Sequence, residues 1–272
     1  MTPPIDSVKW TSDSTGVQLY VSTHNPANNT RYYKWDFAET WEFHSPFVQQ
    51  LRYDTVINPA NGKPVPGIAF LPYGLDSAVY FCWQSAQSTQ LLLGSSANLS
   101  QDVITDFPLN LVPPSSVNLT IEYSTLVNQY ALTENEFNFL STMQKNTEET
   151  GSVFGAEPTS LQGNIHSLTH PSETVVGYVG FSTIQSKRIF IDKNQLPAYW
   201  KTTYPGCVPD SVLTLAGGTN PYYQIENAVY SGLVPIMVTN VIDGSIQFVV
   251  VAPPCVNCVL NGGTNIKPSF WQ

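Results

Sequence analysis

An alternation of large apolar and polar side chains over residues 33–44 constrains the fold of this chain more than any other feature. Tyr33, Trp35, Phe37, Trp41 and Phe43 share one face of an extended segment, and the opposite face carries Lys34, Asp36, Thr40, Glu42 and His44. Only Glu39 interrupts the apolar face. Side chains alternate between two faces in a strand and not in a helix, so this segment is predicted to be a long strand. We interpret Trp35 and Trp41 as sandwich core; the alternative is an exposed aromatic platform for a sugar or peptide.

Other segments extend the β pattern. Val17, Leu19 and Val21 alternate with polar residues, and the turn-forming residues of the 25–29 segment follow them. Further strands are predicted at residues 8–10, 79–83, 90–94, from 163 onward, and at 175–181, 187–192 and 245–251. Another is predicted at 117–124, running on through Gln129-Tyr130 with a phase change near Leu126. The fold class is therefore mainly β, an antiparallel β-sandwich with immunoglobulin-like or fibronectin-III-like elements.

One amphipathic helix is predicted near residues 133–149. Thr133 and Glu136 have the spacing of a capping box, in which each side chain satisfies a free backbone N–H, and Gly151 is expected to end the helix. Its apolar face, Phe137, Leu140 and Met143, is expected to pack on a sheet. Residues 45–77 are interpreted as loops with short strands, and residues 193–235 as a long irregular loop section. We expect a single β-rich domain over residues 1–272, or alternatively two packed subunits divided near residue 115.

Four cysteines, Cys82, Cys207, Cys255 and Cys258, allow three complete disulfide pairings, and spacing does not choose among them. Disulfides are the favoured interpretation. A zinc site normally shows two close ligand pairs, and only Cys255 and Cys258 are close. A redox Cys-x-x-Cys site requires a helix start that the surrounding prolines and glycines disfavour. Cross-linking, together with burial of Phe270 and Trp271, is expected to hold the C-terminal tail in place.

Charge and hydropathy exclude several functions. Charged residues make up 11% of the chain and the net charge is -9, so no basic surface for nucleic acid or anionic lipid is expected. The longest strongly apolar stretch, 246–254, is too short to span a bilayer. The chain opens on Met-Thr-Pro-Pro without a signal peptide, and we expect it to be a truncated or mature part of a longer exported protein.

No catalytic or cofactor-binding pattern is found, so neither a catalytic residue, a cofactor nor a metal is assigned. The chain has no nucleophile elbow and no phosphate-binding glycine loop. His166 and His170 are four residues apart, but their surroundings disfavour a helix and a metal site. Asp36 and Glu42 share a strand face about 20 Å apart, too far for a glycosidase carboxylate pair.

The chain resembles a family of Bacteroidota outer-membrane lipoproteins known as domain of unknown function 4249. The resemblance rests on segments spread over nearly the whole chain: 3–7, 33–43, Cys82-Trp83, 92–100, 145–148, 163–165, Gly177-Tyr178, 187–191 and the tail 255–271. The resemblance implies that family members carry a lipidated cysteine and an N-terminal immunoglobulin-like domain before this region, and we expect the sequence to correspond to the part that follows them. The family's cysteines match those of this chain, which implies structural disulfides on the periplasmic or cell-surface face of the outer membrane.

The resemblance implies a non-enzymatic accessory or binding lipoprotein of the outer membrane, associated with a TonB-dependent receptor in nutrient capture. The membrane contact would be a lipid anchor only, and no nucleic acid is expected. The ligand, a small molecule, glycan or peptide, would contact the aromatic loop residues Trp200, Tyr204, Tyr222 and Tyr223, unless these pack beneath a Cys207 cross-link. The alternatives are a surface hydrolase of glycans or peptides and a structural subunit of an envelope complex.

Overall fold

The computed structural model describes residues 1–57, 60–71, 77–149, 163–170, 172–173, 175–214, 223–240 and 246–271. Its strands are β1 (Ile5–Asp13), β2 (Gly16–Asn25), β3 (Tyr32–His44), β4 (Leu51–Ile57), β5 (Pro64–Phe70), β6 (Phe81–Gln87), β7 (Leu92–Ser95), β8 (Asp102–Val112), β9 (Glu122–Leu132), β10 (Ile184–Asp192), β11 (Asp210–Thr214), β12 (Val234–Asn240) and β13 (Ile246–Val251). The α-helices are α1 (Ser77–Tyr80), α2 (Glu134–Glu149) and α3 (Tyr223–Tyr230). The described residues are thus mainly β, as predicted.

The chain divides into two compact units, each made of three separate stretches of the sequence. Unit 1 contains Met1–Glu39, Ala86–Pro114 and Ser124–Ile191, and unit 2 contains Thr40–Ser85, Ser115–Tyr123 and Asp192–Gln272. Strands β3, β6 and β9 therefore contribute residues to both. The single domain, and the boundary near residue 115, stay predictions.

Unit 1 is a β-sandwich. One sheet has the order β1-β2-β8, and the other has the order β10-β9-β3-β6, with β7 also pairing with β3. The pairs β1–β2, β2–β8 and β3–β7 are antiparallel. The two sheets meet where Trp35 of β3 stacks on Phe107 of β8, with ring centroids 4.5 Å apart. Trp35 is thus a core residue, as its place in the alternating segment predicts, and not part of an exposed platform.

Polar groups inside this sandwich are matched to one another. The indole N–H of Trp35 donates to Oε1 of Gln129 at 2.9 Å. The Gln129 amide in turn donates to the carbonyl of Pro3 and the hydroxyl of Thr23, both at 2.9 Å. A buried polar side chain is tolerated when its hydrogen bonds are made, so this network fixes the register of the packed sheets. Near it, the buried carboxylate of Asp102 accepts from the Tyr33 hydroxyl.

Glu39, which interrupts the apolar face of β3, has its own partner in unit 1. Its Oε1 accepts a hydrogen bond from the side-chain amide of Asn110 on β8, at 2.9 Å. Glu39 itself is only partly buried, and the alternation resumes in the same phase at Trp41 and Phe43, with Thr40 buried in addition. Trp41 is 6% exposed, which confirms it too as a core residue.

Unit 2 contains a sheet of order β11-β13-β12 and the hairpin β4–β5, and the strands of both pair antiparallel. Helix α3 packs its apolar residues against them, and one core cluster consists of Leu51, Ile225, Ala228, Phe248 and Val250. The hairpin lies within the predicted loop 45–77, for which short strands are expected. Residues 193–235, predicted to be irregular, instead contain β11, α3 and the start of β12. Tertiary packing determines these elements, because their local pattern is weak.

The C-terminal tail is held as predicted. The backbone groups of Thr264 and Trp83 exchange two hydrogen bonds of 2.8 Å. Trp271 is buried and its indole donates to the Glu42 carboxylate at 3.2 Å. Phe270 is exposed, so its predicted burial is wrong. Gly263 makes this path possible, because a Cβ there would lie 2.6 Å from Cβ of Cys82 and 2.9 Å from the Phe43 ring.

Several predicted strands differ from the structure. The segment 79–83 starts in α1 and becomes a strand only at Phe81. The segment 117–124 begins with a 3₁₀ turn, Val117–Leu119, because the Ser116 side chain accepts from the Asn118 N–H and favours a helical turn. Strand β9 starts after it. The long strand β8 was not predicted at all.

The segments 163–165 and 175–181 are not strands either. The side chain of Asn164 bonds both the N–H and the carbonyl of Val179, each at 2.8 Å, and takes the place of a backbone ladder. The predicted helix and its Thr133 cap are confirmed, since the Thr133 hydroxyl accepts from the N–H of Glu136. Phe137 packs on Tyr32 with ring centroids 5.0 Å apart, whereas Met143, also predicted to pack on a sheet, is exposed. The predicted end at Gly151 lies outside the described residues.

Candidate functional site

The cysteines form two disulfides, both in unit 2. Cys82 pairs with Cys258, and Cys207 pairs with Cys255. The favoured disulfide interpretation is therefore correct. The two neighbouring tail cysteines bond different partners, so they anchor the tail at two points instead of forming a redox pair. Among the described residues, no group of three or more His, Cys, Asp or Glu side chains is placed to hold a metal ion.

The four aromatic residues predicted to bind a ligand lie in different settings. Trp200 is 6% exposed and belongs to the core of unit 2. Tyr204 is half-buried and lines a pocket. Tyr223 is exposed at the start of α3, and Tyr222 lies outside the described residues. Of the described members of the set, Tyr204 is the one that lines this pocket.

The Tyr204 pocket, as we call it, encloses about 240 Å³ in unit 2. Strands β3 and β6 supply Phe43 and Gln84, and the loop 203–207 supplies the facing wall. The described lining residues are Phe43, Gln84, Val117, Thr203, Tyr204, Pro205, Cys207 and Asn261. These residues are far apart in sequence, and the two disulfides bring their segments together.

Aromatic packing supports one wall of the Tyr204 pocket. The Tyr204 ring lies 6.2 Å from the imidazole of His44, which stacks on Tyr80 at 5.2 Å. Phe81 meets Tyr80 edge-on at 4.7 Å. This cluster positions the Tyr204 ring before any ligand arrives, which lowers the entropic cost of binding.

The hydroxyl of Tyr204 is buried and has no hydrogen-bond partner of ordinary geometry among the described residues. Burial raises the pKa of Tyr204, since the phenolate would be poorly solvated. The Thr120 hydroxyl opposes this rise in pKa, but it already donates to the carbonyl of Val117 at 2.6 Å. Tyr204 therefore stays neutral, and its ring is the part that a ligand would meet.

The polar groups of the Tyr204 pocket are amides and a hydroxyl. The side-chain amide of Gln84 makes no hydrogen bond within the described residues. Asn261 donates from Nδ2 to the carbonyl of Pro254 at 2.7 Å, which leaves its Oδ1 as an acceptor. The sequence analysis did not identify Gln84 or Asn261, because a single amide in a strand or before a glycine pair gives no local signal.

An acidic group in unit 2 has perturbed ionisation. The pKa of Glu122 is raised, first by burial and then by the charges of Asp192 and Glu42, while Lys267 opposes the shift. Glu42 also accepts the indole hydrogen bond of Trp271. Asp36, which shares a predicted face with Glu42, is engaged separately in unit 1 by the amide of Asn128 at 2.8 Å.

Unit 1 exposes a set of large apolar side chains between residues 165 and 184. Leu168 is 86% exposed and Phe181 is 96% exposed. This apolar surface consists of Ile165, Leu168, Val176, Val179, Phe181 and Ile184. Asn164 ties the two arms of the segment together through the backbone of Val179. Large apolar side chains exposed within one segment of this kind often mark an interaction surface. His166 and His170, at which the sequence disfavours a metal site, are exposed in the same segment.

The family described as a domain of unknown function (DUF4249) matches residues 1–188 of the 272. The chain belongs to this family. No curated protein and no solved structure shows a significant match to it.

The DUF4249 match covers strands β1 to β9, helix α2 and the apolar surface. Of the Tyr204 pocket it covers Phe43, Gln84 and Val117, while the wall 203–207 and Asn261 lie beyond it. The lipidated and Bacteroidota character of the family stays a prediction for this chain. In the described residues, no helix has both the length and the apolar character to cross a membrane.

Proposed function

We propose that this DUF4249 protein is a non-enzymatic accessory and binding lipoprotein of the outer membrane, which works with a TonB-dependent receptor in nutrient capture. The observation that carries the proposal is the apolar surface of unit 1. Exposing Leu168 and Phe181 to water is unfavourable, at about 25 cal/mol per Å² of apolar area, and a protein partner would remove that cost.

The two disulfides support the exported location. Disulfides persist in oxidising compartments such as the periplasm and the cell surface, and are rare in reducing ones. Cys82, Cys255 and Cys258 are fully buried or nearly so, which suits structural bonds that stay oxidised. The capture role draws on the Tyr204 pocket, since small-molecule sites are concave, largely preformed and lined by aromatic residues with a few polar groups.

A capture experiment tests the receptor contact. The full-length protein, affinity-tagged in its own cells, is recovered from detergent-solubilised outer membranes, and its companions are identified by mass spectrometry. We expect a TonB-dependent receptor in stoichiometric amount. The double substitution Leu168→Ser and Phe181→Ser should abolish recovery of the receptor, because it removes the two most exposed apolar contacts of the proposed surface. Both side chains are exposed, so their replacement should leave the fold intact.

The matched control is Tyr199→Ser with Tyr230→Ser, which changes two exposed aromatic residues of unit 2. The control should recover the receptor as the unmodified protein does. Absence of any receptor would overturn the accessory role, and a screen for glycan or peptide hydrolysis would then test the hydrolase alternative. Equal receptor recovery by both double variants would exclude the apolar surface as the contact. A non-receptor envelope complex would favour the structural-subunit alternative.

A further inference from the structure

The Tyr204 pocket is electrically neutral. None of its described lining side chains carries a charge. The pKa of Tyr204 responds to burial, Thr120 and Tyr80, and no charged side chain is among these causes. A charged ligand group would therefore lose its hydration without gaining a counter-charge, which is strongly unfavourable. The pocket thus selects against carboxylates, phosphates and ammonium groups.

The polar groups of the pocket are suited to hydroxyls. The Gln84 amide supplies both a donor and an acceptor, and Asn261 supplies an acceptor. The Thr203 hydroxyl also lines the pocket, and its hydrogen bond to the Ser115 carbonyl is long, at 3.5 Å. A hydroxyl both donates and accepts, so a ligand with several hydroxyls satisfies such groups in pairs. Leaving them unpaired under an apolar ligand would cost about 1–3 kcal/mol for each group.

The remaining walls are apolar and aromatic. Phe43, Val117, Tyr204 and Pro205 are the apolar and aromatic lining residues. Phe43 is only 3% exposed, so the Tyr204 ring and Pro205 are the members of this set that a ligand can reach most readily. The C–H face of a pyranose ring packs on such surfaces while its edge hydroxyls remain free for hydrogen bonds. One ligand class combines an apolar face with many uncharged hydroxyls, and that class is the neutral carbohydrates.

A peptide is a poorer fit at this place. Peptides often bind by adding a strand to an open sheet edge, which supplies unpaired backbone groups. The edge of β6 beside the pocket is already occupied, since the N–H and carbonyl of Trp83 are both bonded to Thr264 at 2.8 Å. A peptide would therefore have side-chain contacts only.

We propose that the Tyr204 pocket binds one sugar unit of a neutral glycan. The Tyr204 ring, with Pro205 beside it, packs on the sugar ring, and Gln84 and Asn261 bind its hydroxyls. The Cys207–Cys255 disulfide fixes the wall 203–207, so the site is formed before binding. This inference names the ligand class for the capture role proposed above and rests on that role for its setting.

Saturation-transfer NMR and calorimetry with the isolated full chain test the proposal. The probes are methyl glucoside, methyl galactoside and N-acetylglucosamine, with glucuronic and galacturonic acids as charged counterparts and a set of neutral tripeptides. We expect at least one neutral sugar to bind, with saturation concentrated on its ring C–H groups, and its acidic counterpart to bind about tenfold more weakly or not at all. Binding by none of the neutral sugars, or preference for an acid or a tripeptide, would overturn the proposal.

Three variants locate the site. Gln84→Leu should weaken sugar binding about tenfold, because it removes the side-chain amide that is proposed to bind the sugar hydroxyls while nearly keeping the side-chain volume. Gln224→Leu, which changes an exposed amide on α3, is the matched control and should leave affinity unchanged. Tyr204→Phe keeps the ring and should also bind normally, since the lost hydroxyl is buried behind it. Equal affinity of Gln84→Leu and the unmodified protein would refute this site. Receptor recovery is read separately, so either proposal can fail alone.

Discussion

Removing the two disulfides separately should reveal which one stabilises the protein more. Cys82 and Cys258 are 176 residues apart, and Cys207 and Cys255 are 48 apart. A cross-link restricts the unfolded chain more when it closes a longer loop. The chain-entropy relation gives about 5 kcal/mol for the Cys82–Cys258 bond and about 4 kcal/mol for the Cys207–Cys255 bond. The second bond lies inside the loop of the first and shortens it, but the dependence is logarithmic, so the first estimate changes little.

The variants are Cys82→Ala with Cys258→Ala, and Cys207→Ala with Cys255→Ala. Alanine avoids placing an unpaired hydroxyl in the core, where Cys82 and Cys258 are fully buried. Equilibrium unfolding in urea gives the free energy of unfolding and its denaturant slope. We expect the first variant to lose more free energy than the second, and both slopes to rise, because a less restricted unfolded chain exposes more surface.

Each result has a different meaning for this reasoning. A larger loss for the Cys207–Cys255 pair would show that local packing around the Tyr204 pocket, and not loop length, determines the stabilisation. Unchanged slopes would show that the unfolded state is not the origin of the effect. Losses below about 1 kcal/mol for both pairs would refute the chain-entropy argument altogether.

Three further predictions concern buried or perturbed polar groups. Gln129→Leu should lower the free energy of unfolding by about 2–4 kcal/mol, measured by urea denaturation, because the Trp35 indole loses its acceptor inside the sandwich. Burial and the Asp36 carboxylate raise the pKa of Tyr130 to about 12. The stability that this phenol contributes is therefore complete below about pH 10 and is lost as the pH rises towards 12. Tyrosinate absorbance and the free energy of unfolding, measured over the same pH range, check this. The raised pKa of Glu122 means that its ionised form opposes folding. Glu122→Gln should therefore raise the melting temperature at pH 7 and leave it unchanged at pH 3, where the carboxyl is already protonated. Equal shifts of the melting temperature at both pH values would contradict this role of Glu122.

The sequence by itself determined the features that depend on local periodicity and local hydrogen bonding. The alternation in β3 could be recognised as a half-buried strand because side chains alternate about a strand axis whatever the rest of the chain does. The Thr133 cap of α2 is likewise a contact within one turn. The cysteine content favoured disulfides, and the cysteines and aromatic residues of the tail indicated that the C-terminus is held against the rest of the protein.

Only the tertiary structure decided which distant groups meet. Four cysteines allow three pairings, and the choice depends on where the folded chain brings Cys82 and Cys258 together. The Asn164 side chain replaces a strand ladder by bonding the backbone of Val179, which no propensity scale anticipates. The Tyr204 pocket likewise joins Gln84 to a wall more than a hundred residues later. A binding site of this kind arises from long-range contacts, so its residues have no shared pattern in the sequence, while strands and helix caps are specified within a few residues.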